Sequence, residues 1–289
     1  MELRSVAALI EASRKMPIWE AILCSDLEED TPEQRAASLE KMRMLWQVMQ
    51  DSAAGYDGSQ RSLSGLSGGD GEKYTQMLSS GKMMCGTYLN DAIATALKIS
   101  ECNACMKRIV AAPTAGSCGV IPAVLIPYRK EYPDTPEEEM LHALYVTGGF
   151  GNIIAERASV SGAEAGCQAE IGAASAMAAA ALVYLRGGSP EACGNACAMA
   201  LKNLLGLVCD PVAGLVEVPC VKRNVVGVVN AISCANMALA GIVSQIPPDE
   251  VIDAMAEVGS SMSADLRETA RGGLAATPTG KRIAAERAE

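Results

Sequence analysis

Aromatic side chains are scarce in this sequence. Phe, Tyr and Trp together make up 3% of the 289 residues, with a single Phe. Ala, Gly, Met and Leu must therefore fill the core, and side chains this small allow helices to pack closely. Because hydrophobic residues still make up 49% of the chain and charged residues 20%, we exclude a disordered protein. The length suffices to bury a large core, and we predict one domain over residues 1–289.

Basic clusters and a signal peptide are also lacking. The net charge is −10 and no run of Lys or Arg forms a basic face, which argues against a nucleic-acid partner. No apolar segment typical of a secretory signal begins the chain, so we expect a cytoplasmic protein. Two uncharged stretches, 171–185 and 225–245, need a membrane check. The first is short for a span and the second carries several Asn and Ser residues, so we predict buried core helices and no membrane.

Helix starts are marked by a repeated pattern of hydroxyl, proline and acid. Thr31, Thr135 and Ser189 are each followed by Pro and then Glu. The hydroxyl can cap the helix, and proline is favoured in the first turn. The acid then lies near the positive end of the helix dipole. We predict helices near residues 2–14, 32–50, 86–111, 136–147, 168–186, 190–207, 222–244 and 249–258. Only short stretches such as 120–126 could be strands. The predicted fold class is therefore all-α, a compact multi-helix domain.

Long connections rich in Gly and Ser separate the predicted helices. They cover residues 55–71, 112–122, 148–166, 209–220 and 267–281. Long loops inside a compact domain are usually either functional or disordered. Five of them favour function, so we predict that these loops build the site.

The sequence contains 11 cysteines, an odd number that argues against a closed disulfide framework. In a reducing compartment most cysteines fill the core, and a few bind metals or act as nucleophiles. We consider two further groups of cysteines less favoured as ligands or nucleophiles. One group consists of closely spaced pairs inside predicted helices, and the other of single thiols near loops. These are Cys102 with Cys105, Cys193 with Cys197, Cys85 and Cys118.

Three other cysteines have the sequence context of a site. Cys209 and Cys220 flank a segment with two prolines and a glycine, which cannot form a regular helix and can bring both sulfurs together. Cys167 begins an Ala-rich predicted helix, whose N-terminus should lower the pKa of its thiol. Lys222 and Arg223 should add positive potential there.

Five segments around these residues resemble the α chain of the iron–sulfur-dependent L-serine dehydratase family. They are SGLSGGDG at 64–71, APTAGSCGVIPAVL at 112–125, GCQAEIGAASAMAAAALV at 166–183, NLLGLVCDPVAGLVEVPCVKRN at 203–224 and ARGGLAATPTGK at 270–281. The resemblance covers the chain from about residue 50 to its end.

The resemblance implies a 4Fe–4S cluster held by Cys167, Cys209 and Cys220. Three ligands for four irons leave one iron open, and an open metal position can act as a Lewis acid. The implied reaction removes the hydroxyl of L-serine and gives pyruvate and ammonia. A related lyase, such as a cysteine desulfidase that expels a thiol, is the alternative.

Loop chemistry and the resemblance together indicate where substrate binds. Backbone N–H groups in Gly-rich turns form anion-binding nests. The candidates are Ser62, Ser64, Gly65, Thr114 and Gly116, with Arg271 and Lys281 as weaker ones. We see no Schiff-base lysine and phosphate cup for pyridoxal phosphate. A non-enzymatic helical scaffold would leave the Gly-rich loops unexplained.

The catalytic base is left unassigned. Enzymes of this family have an α part and a β part, and the β part is thought to supply a histidine. The sole histidine here, His142, lies in the middle of a predicted helix and is interpreted as a packing or surface residue. We therefore expect a separate β subunit as partner, in a heterodimer or higher oligomer, and an exposed apolar patch on this chain.

Overall fold

The computed structural model describes residues 3–287 and confirms the all-α class. Within that range there is no β-strand, only an isolated bridge between Cys209 and Arg267. The α-helices are α1 Val6–Ala12, α2 Ile18–Asp26, α3 Pro32–Ala54, α4 Asp70–Leu78, α5 Thr87–Ala104, α6 Val120–Glu131, α7 Glu137–Arg157, α8 Gly162–Ala165, α9 Ala173–Leu185, α10 Pro190–Lys202, α11 Cys220–Leu239, α12 Pro248–Ser261 and α13 Pro278–Ala285.

Helix caps follow the sequence pattern at two of the three marked starts. Thr31 accepts a hydrogen bond from the Gln34 amide at the start of α3, and Ser189 accepts one from the Ala192 amide at the start of α10. The third start is wrong by a residue, because α7 begins after Pro136 and its first turn receives no side-chain cap. Residue 2, where the first predicted helix starts, lies outside the described residues.

The largest error in the predicted elements concerns α7. Residues 148–157 were assigned to a Gly-rich loop, yet the helix continues through them to Arg157. A side chain at Gly149 would place its Cβ 2.5 Å from Ile22 of α2. A side chain at Gly151 would likewise meet Met177 of α9 at 2.7 Å. These glycines are therefore needed for close helix packing and do not interrupt the helix.

The possible strand at 120–126 is also wrong. These residues form most of α6, whose first turns are almost entirely buried. Pro122 lies in the first turn, where a backbone amide has no partner within the helix, so its missing N–H is tolerated. A short, fully buried apolar run does not distinguish helix from strand by its periodicity.

The Ala-rich helix α9 occupies the centre of the fold. All of its residues from Ala173 to Val183 are buried, and α6, α7, α10 and α11 pack around it. Small side chains permit this close approach from several directions, as the shortage of aromatic residues suggests. The stretch Gln168–Leu185 is apolar and long enough to cross a membrane, but 83% of it is buried inside the protein. It is the core helix that the sequence predicts.

The N-terminal ends of α9 and α11 lie close together, and the loops gather there. A π-helical turn, Gln168–Gly172, leads into α9. The Gln168 amide donates to the Leu207 carbonyl at 2.9 Å, which fixes this turn against the chain just before Cys209. The Cys209 amide donates to the Leu266 carbonyl at 2.8 Å, which brings the C-terminal loop to the same place.

Candidate metal centre

Cys167 precedes the π-helical turn and is buried. Its neighbour Gly166 adopts φ +75°, and a Cβ there would lie 2.9 Å from the Leu207 carbonyl oxygen. Only glycine fits this close approach with a positive φ. The backbone therefore bends at Gly166, which brings the chain at Cys167 against the segment that leads to Cys209.

The three predicted ligands share one buried environment. Burial raises the pKa of the Cys209 thiol most, the charge of Glu170 comes next, and charges on Cys167 and Cys220 raise it further, which is consistent with three sulfurs within electrostatic reach of one another. Cys209 and Cys167 are buried, and Cys220 is half-buried at the first turn of α11. The fold thus brings together residues separated by more than 50 positions.

The prediction of a lowered thiol pKa at Cys167 is wrong for the chain alone. Burial, followed by the charge of Glu170, raises the pKa of Cys167 to about 12. The same two causes raise the pKa of Cys220 to about 12. Burial dominates because it disfavours the charged thiolate form.

Arg223 is the cation of this site. Its guanidinium lowers the pKa of both Cys167 and Cys220, although burial outweighs it in each case. It donates to Asp210 at 2.8 Å and to the Val208 carbonyl at 2.7 Å. The positive potential predicted for the two basic residues after Cys220 therefore comes from Arg223. Lys222 instead pairs with Asp70 at 2.5 Å.

Glu170 lies beside the three thiols, and sequence reasoning did not identify it as a site residue. One carboxylate oxygen accepts a hydrogen bond from Thr114 at 2.8 Å, and the other lies 3.8 Å from the Cys209 sulfur. Burial raises its pKa, and the hydrogen bond from Thr114 lowers it. Glu170 is the only charged residue between Cys167 and Leu185. A lone charge in an apolar run was the available signal, because buried charges are rare without a specific partner.

Two glycines make room for the Glu170 carboxylate. A Cβ at Gly116 would lie 2.9 Å from one of its oxygens, and a Cβ at Gly162 would lie 2.5 Å from the other. The predicted substrate residues Thr114 and Gly116 are therefore next to Glu170 and the thiols. Asn224 fixes their loop by donating to the Gly116 and Cys220 carbonyls and accepting from the Gly119 amide.

Ser62 and Ser64 bind a second carboxylate that sequence reasoning missed. Both hydroxyls donate to the buried Glu217, at 2.6 Å from Ser62 and 2.8 Å from Ser64. Glu217 belongs to the segment between Cys209 and Cys220, so these serines anchor their loop to the cysteine segment. Gly65 adopts φ +73° and uses its amide to donate to the Ser62 carbonyl. Substrate contact by these three residues stays a prediction.

The remaining candidates have other partners or are exposed to solvent. Arg271 pairs with Asp265 at 3.0 Å on the surface, and Lys281 is exposed near the start of α13. His142 stacks on Trp19 with ring centroids 3.7 Å apart and lies beside Tyr184. This is the packing role that its position in the sequence suggests.

The donor set fits a metal cluster and does not fit a single metal ion. Among residues 3–287, no three or more His, Cys, Asp or Glu side chains are close enough together to bind a single metal ion. An iron–sulfur cluster is larger than one ion and takes thiolates as ligands. Three neighbouring thiols with a compensating arginine fit that chemistry.

The chain is similar to known proteins over most of its length. A family model described as serine dehydratase alpha chain matches residues 13–275. A probable L-serine dehydratase alpha chain of Bacillus subtilis is 47% identical over 282 residues, which is 97% of this chain and 93% of that protein. The L-serine dehydratase alpha chain of Peptoniphilus asaccharolyticus is 50% identical over 204 residues, or 71% of this chain and 70% of that one.

Longer proteins match as well. L-serine dehydratase 2 of Escherichia coli is 46% identical over 181 residues, which is 62% of this chain but only 40% of that protein. An L-serine dehydratase of Streptomyces coelicolor matches over the same shares at 46% identity. These relatives therefore carry a large additional part in the same chain.

Proposed function

The chain belongs to the serine dehydratase alpha chain family, and from this premise we propose that it is the cluster-bearing subunit of an L-serine ammonia-lyase. The reaction would convert L-serine to pyruvate and ammonia in the cytoplasm. The observation that carries the proposal is the grouping of Cys167, Cys209 and Cys220 around the Glu170 carboxylate. Relatives that are named L-serine dehydratase alpha chains support L-serine as the substrate.

We propose that Cys167, Cys209 and Cys220 hold a 4Fe–4S cluster. Three thiols, two of them buried and the third half-buried, are the donor chemistry that such a cluster takes. When bound through three thiolates, the cluster supplies Lewis acidity that weakens the carbon–oxygen bond of a hydroxyl group. Arg223 favours the thiolate forms that metal binding needs, since its charge lowers the pKa of Cys167 and Cys220.

Glu170 is the group of this chain best placed to bind the substrate ammonium. The hydrogen bond from Thr114 fixes one carboxylate oxygen, so the other stays directed toward the thiols. A charge-assisted hydrogen bond from an ammonium group to a buried carboxylate is strong and directional. We propose that Thr114 and Gly116, which adjoin Glu170, border the substrate.

Ser62 and Ser64 would position the site and not contact the reacting atoms. Their bonds to Glu217 tie the loop over residues 62–67 to the Cys209–Cys220 segment. A loop held this way restricts water access to the pocket and fixes the position of the cysteine segment. Gly65 lies at the turn of this loop, and the side of the turn where a Cβ would stand is open, which leaves room there for a substrate carboxylate.

We propose that a separate β subunit completes the site. General-base catalysis needs a group within hydrogen-bond reach of the proton on Cα, and the single histidine is stacked on Trp19. Two loops bound to the cysteine segment carry exposed apolar side chains. Leu63 lies between the two serines that bind Glu217, and the Leu274 amide donates to Asp210. These side chains offer the β subunit a contact at the rim of the site.

The test is an activity assay with both subunits. The chain would be reconstituted with ferrous iron and sulfide without oxygen, and pyruvate release would be measured from L-serine and from L-cysteine. We expect turnover of L-serine. The rate should rise roughly 10²–10⁴-fold when a β chain is added, because general acid–base catalysis usually contributes a rate factor of this size. Preferential release of pyruvate from L-cysteine would favour the desulfidase alternative.

One result would contradict the need for a second subunit. If the reconstituted chain alone dehydrates L-serine at full rate and His142→Ala abolishes that rate, His142 is the base. A matched control is Trp19→Phe, which keeps an aromatic ring against His142 and should leave activity unchanged in the two-subunit account.

A further inference from the structure

The segment that forms most of α11 and the loop after it lacks charge over an unusual length. No Asp, Glu, Lys, Arg or His occurs from residue 224 to 248, although the chain as a whole is 20% charged. Part of this stretch is exposed, because Val226, Val229, Ser233 and Asn236 face solvent at helical spacing along α11. The solvent face of a surface helix normally carries charged residues. This face is therefore suited to contact another protein surface.

The loop after α11 projects aliphatic side chains from the same surface. Ile242 is 50% exposed and Val243 is 58% exposed. The loop is held in place at Ser244, whose amide donates to Asn195 at 2.9 Å and whose hydroxyl accepts from Lys202 at 2.8 Å. An apolar projection fixed in this way loses little conformational freedom when it is covered by a partner.

A pocket rich in tyrosine adjoins the projecting loop. It has a volume of 110 Å³, and Leu239, Tyr128 and Tyr132 are among the residues that line it. The guanidinium of Arg186 lies over the Tyr132 ring, 4.5 Å from its centroid. Tyrosine and arginine at the edge of a small apolar pocket are the composition of energetically important interface sites. Leu239 precedes Ile242 by three residues, so the pocket and the projection are neighbours.

A projection and a pocket side by side on one surface fit a two-fold axis. In such an interface the same patch faces itself, so the projection of each copy meets the pocket of the other. The net charge of −10 makes copies of this chain repel, and a surface built on a segment without acidic residues is where they can approach. We propose that two copies of this chain associate through the α11 face, with Ile242 and Val243 of each copy in the tyrosine pocket of the other.

This surface is distant from the proposed active site and does not depend on the proposed function. Cys220 begins α11 and the projecting loop follows its other end, so the length of a 20-residue helix, about 30 Å, separates them. The rim around Leu63 and Leu274 stays available to a β subunit. The proposed assembly is therefore a central pair of these chains with a β subunit at each outer end.

Sedimentation velocity of the full chain over a range of concentrations tests the proposal. We expect a dimer for the unaltered chain, and a dissociation constant about 100-fold higher or more for Val243→Glu, because the substitution places a charge in each of two symmetry-related apolar contacts. Tyr132→Ala should weaken the dimer through the other half of the same contact. Leu63→Glu is the matched control, since it adds the same charge at an exposed apolar position outside this face and should leave the dimer intact. Circular dichroism would verify that each variant is folded.

Three outcomes would overturn the proposal. The first is an unaltered chain that stays monomeric at every concentration. The second is a dimer that survives both Val243→Glu and Tyr132→Ala. The third is a monomeric chain whose binding to a β subunit is lost in Val243→Glu, which would assign this face to the β subunit.

Discussion

The carboxylate of Glu170 lies 3.8 Å from the sulfur of Cys209. The two residues are 39 positions apart, and both are close to Cys167 through the π-helical turn that precedes α9. An acid among three thiols is unfavourable when these groups ionise, because burial raises the pKa of every one of them. Such an arrangement is typical of a site whose charges are compensated by a bound group.

The raised pKa of Glu170 predicts a pH dependence of stability for the iron-free chain. Between the ordinary pKa of a glutamate and the raised one, the folded state binds more protons than the unfolded state. The free energy of unfolding should therefore fall as pH rises through this window. Glu170→Gln removes the titrating group, so this variant should be more stable than the unaltered chain above the window and equally stable below it. Urea unfolding at a series of pH values measures the difference, and an unchanged pH profile in Glu170→Gln would be evidence against the burial of this charge.

Two adjacent glycines of α7 should respond in opposite ways to alanine. Gly149→Ala places a Cβ 2.5 Å from Ile22, so we expect a loss of roughly 1–3 kcal/mol from overpacking between α7 and α2. Gly148 is the matched control, because within the described part of the chain no atom lies within 4 Å of its added Cβ. Gly148→Ala should be neutral or stabilising by up to about 1 kcal/mol, since alanine favours a helix over glycine. Chemical denaturation of both variants provides the comparison, and equal effects would contradict the packing argument.

The hydrogen bonds from Ser62 and Ser64 to Glu217 should make substitutions of these residues non-additive in their effect on stability. Glu217→Gln weakens two charge-assisted hydrogen bonds in a buried place, and we expect a loss of about 1–3 kcal/mol. Ser62→Ala removes one of the same bonds, so the double variant should lose less than the sum of the two single variants. Exact additivity in denaturation measurements would mean that the loop is not held by this contact. Glu257→Gln, at an exposed position on α12, is the control for a charge change alone.

Thr114 should influence activity through Glu170. Thr114→Val keeps the shape of the side chain but removes the hydrogen bond to the carboxylate. We expect a higher KM for L-serine, because the proposed ammonium-binding oxygen is no longer oriented, and a loss of about 10-fold in kcat/KM for one charge-assisted hydrogen bond. Thr114→Ser retains the hydroxyl and should recover most of this loss. Equal activity of the Val and Ser variants would exclude a role for the hydroxyl.

The sequence predicts the local features of the fold well and the long-range features poorly. The caps of α3 and α10, the buried α9 and the break before Cys220 depend on neighbouring residues, and those predictions are confirmed. The continuation of α7 through its glycines could not be predicted, because Gly149 is required by Ile22, more than 100 residues earlier in the chain. Glycine alone does not reveal whether it serves a turn or a close contact.

The residues of the site likewise divide into those that local sequence predicts and those that depend on long-range contacts. The resemblance indicates which cysteines to expect, and loop composition indicates Thr114 and Gly116. The two carboxylates Glu170 and Glu217 were missed because their partners, Thr114 and Ser62, are 56 and 155 residues away. No spacing rule within one sequence identifies such pairs, whereas an isolated charge in an apolar run would have indicated Glu170.

The most direct measurement is the iron content of the chain purified without oxygen, in the unaltered form and in single cysteine variants. The account predicts about four irons per unaltered chain, as expected of one 4Fe–4S cluster. It predicts a loss of iron in Cys167→Ala, Cys209→Ala and Cys220→Ala, with full iron in the controls Cys193→Ala and Cys234→Ala, which remove thiols buried elsewhere in the core. Full iron in the first three variants, or an unaltered chain that binds no iron, would contradict it.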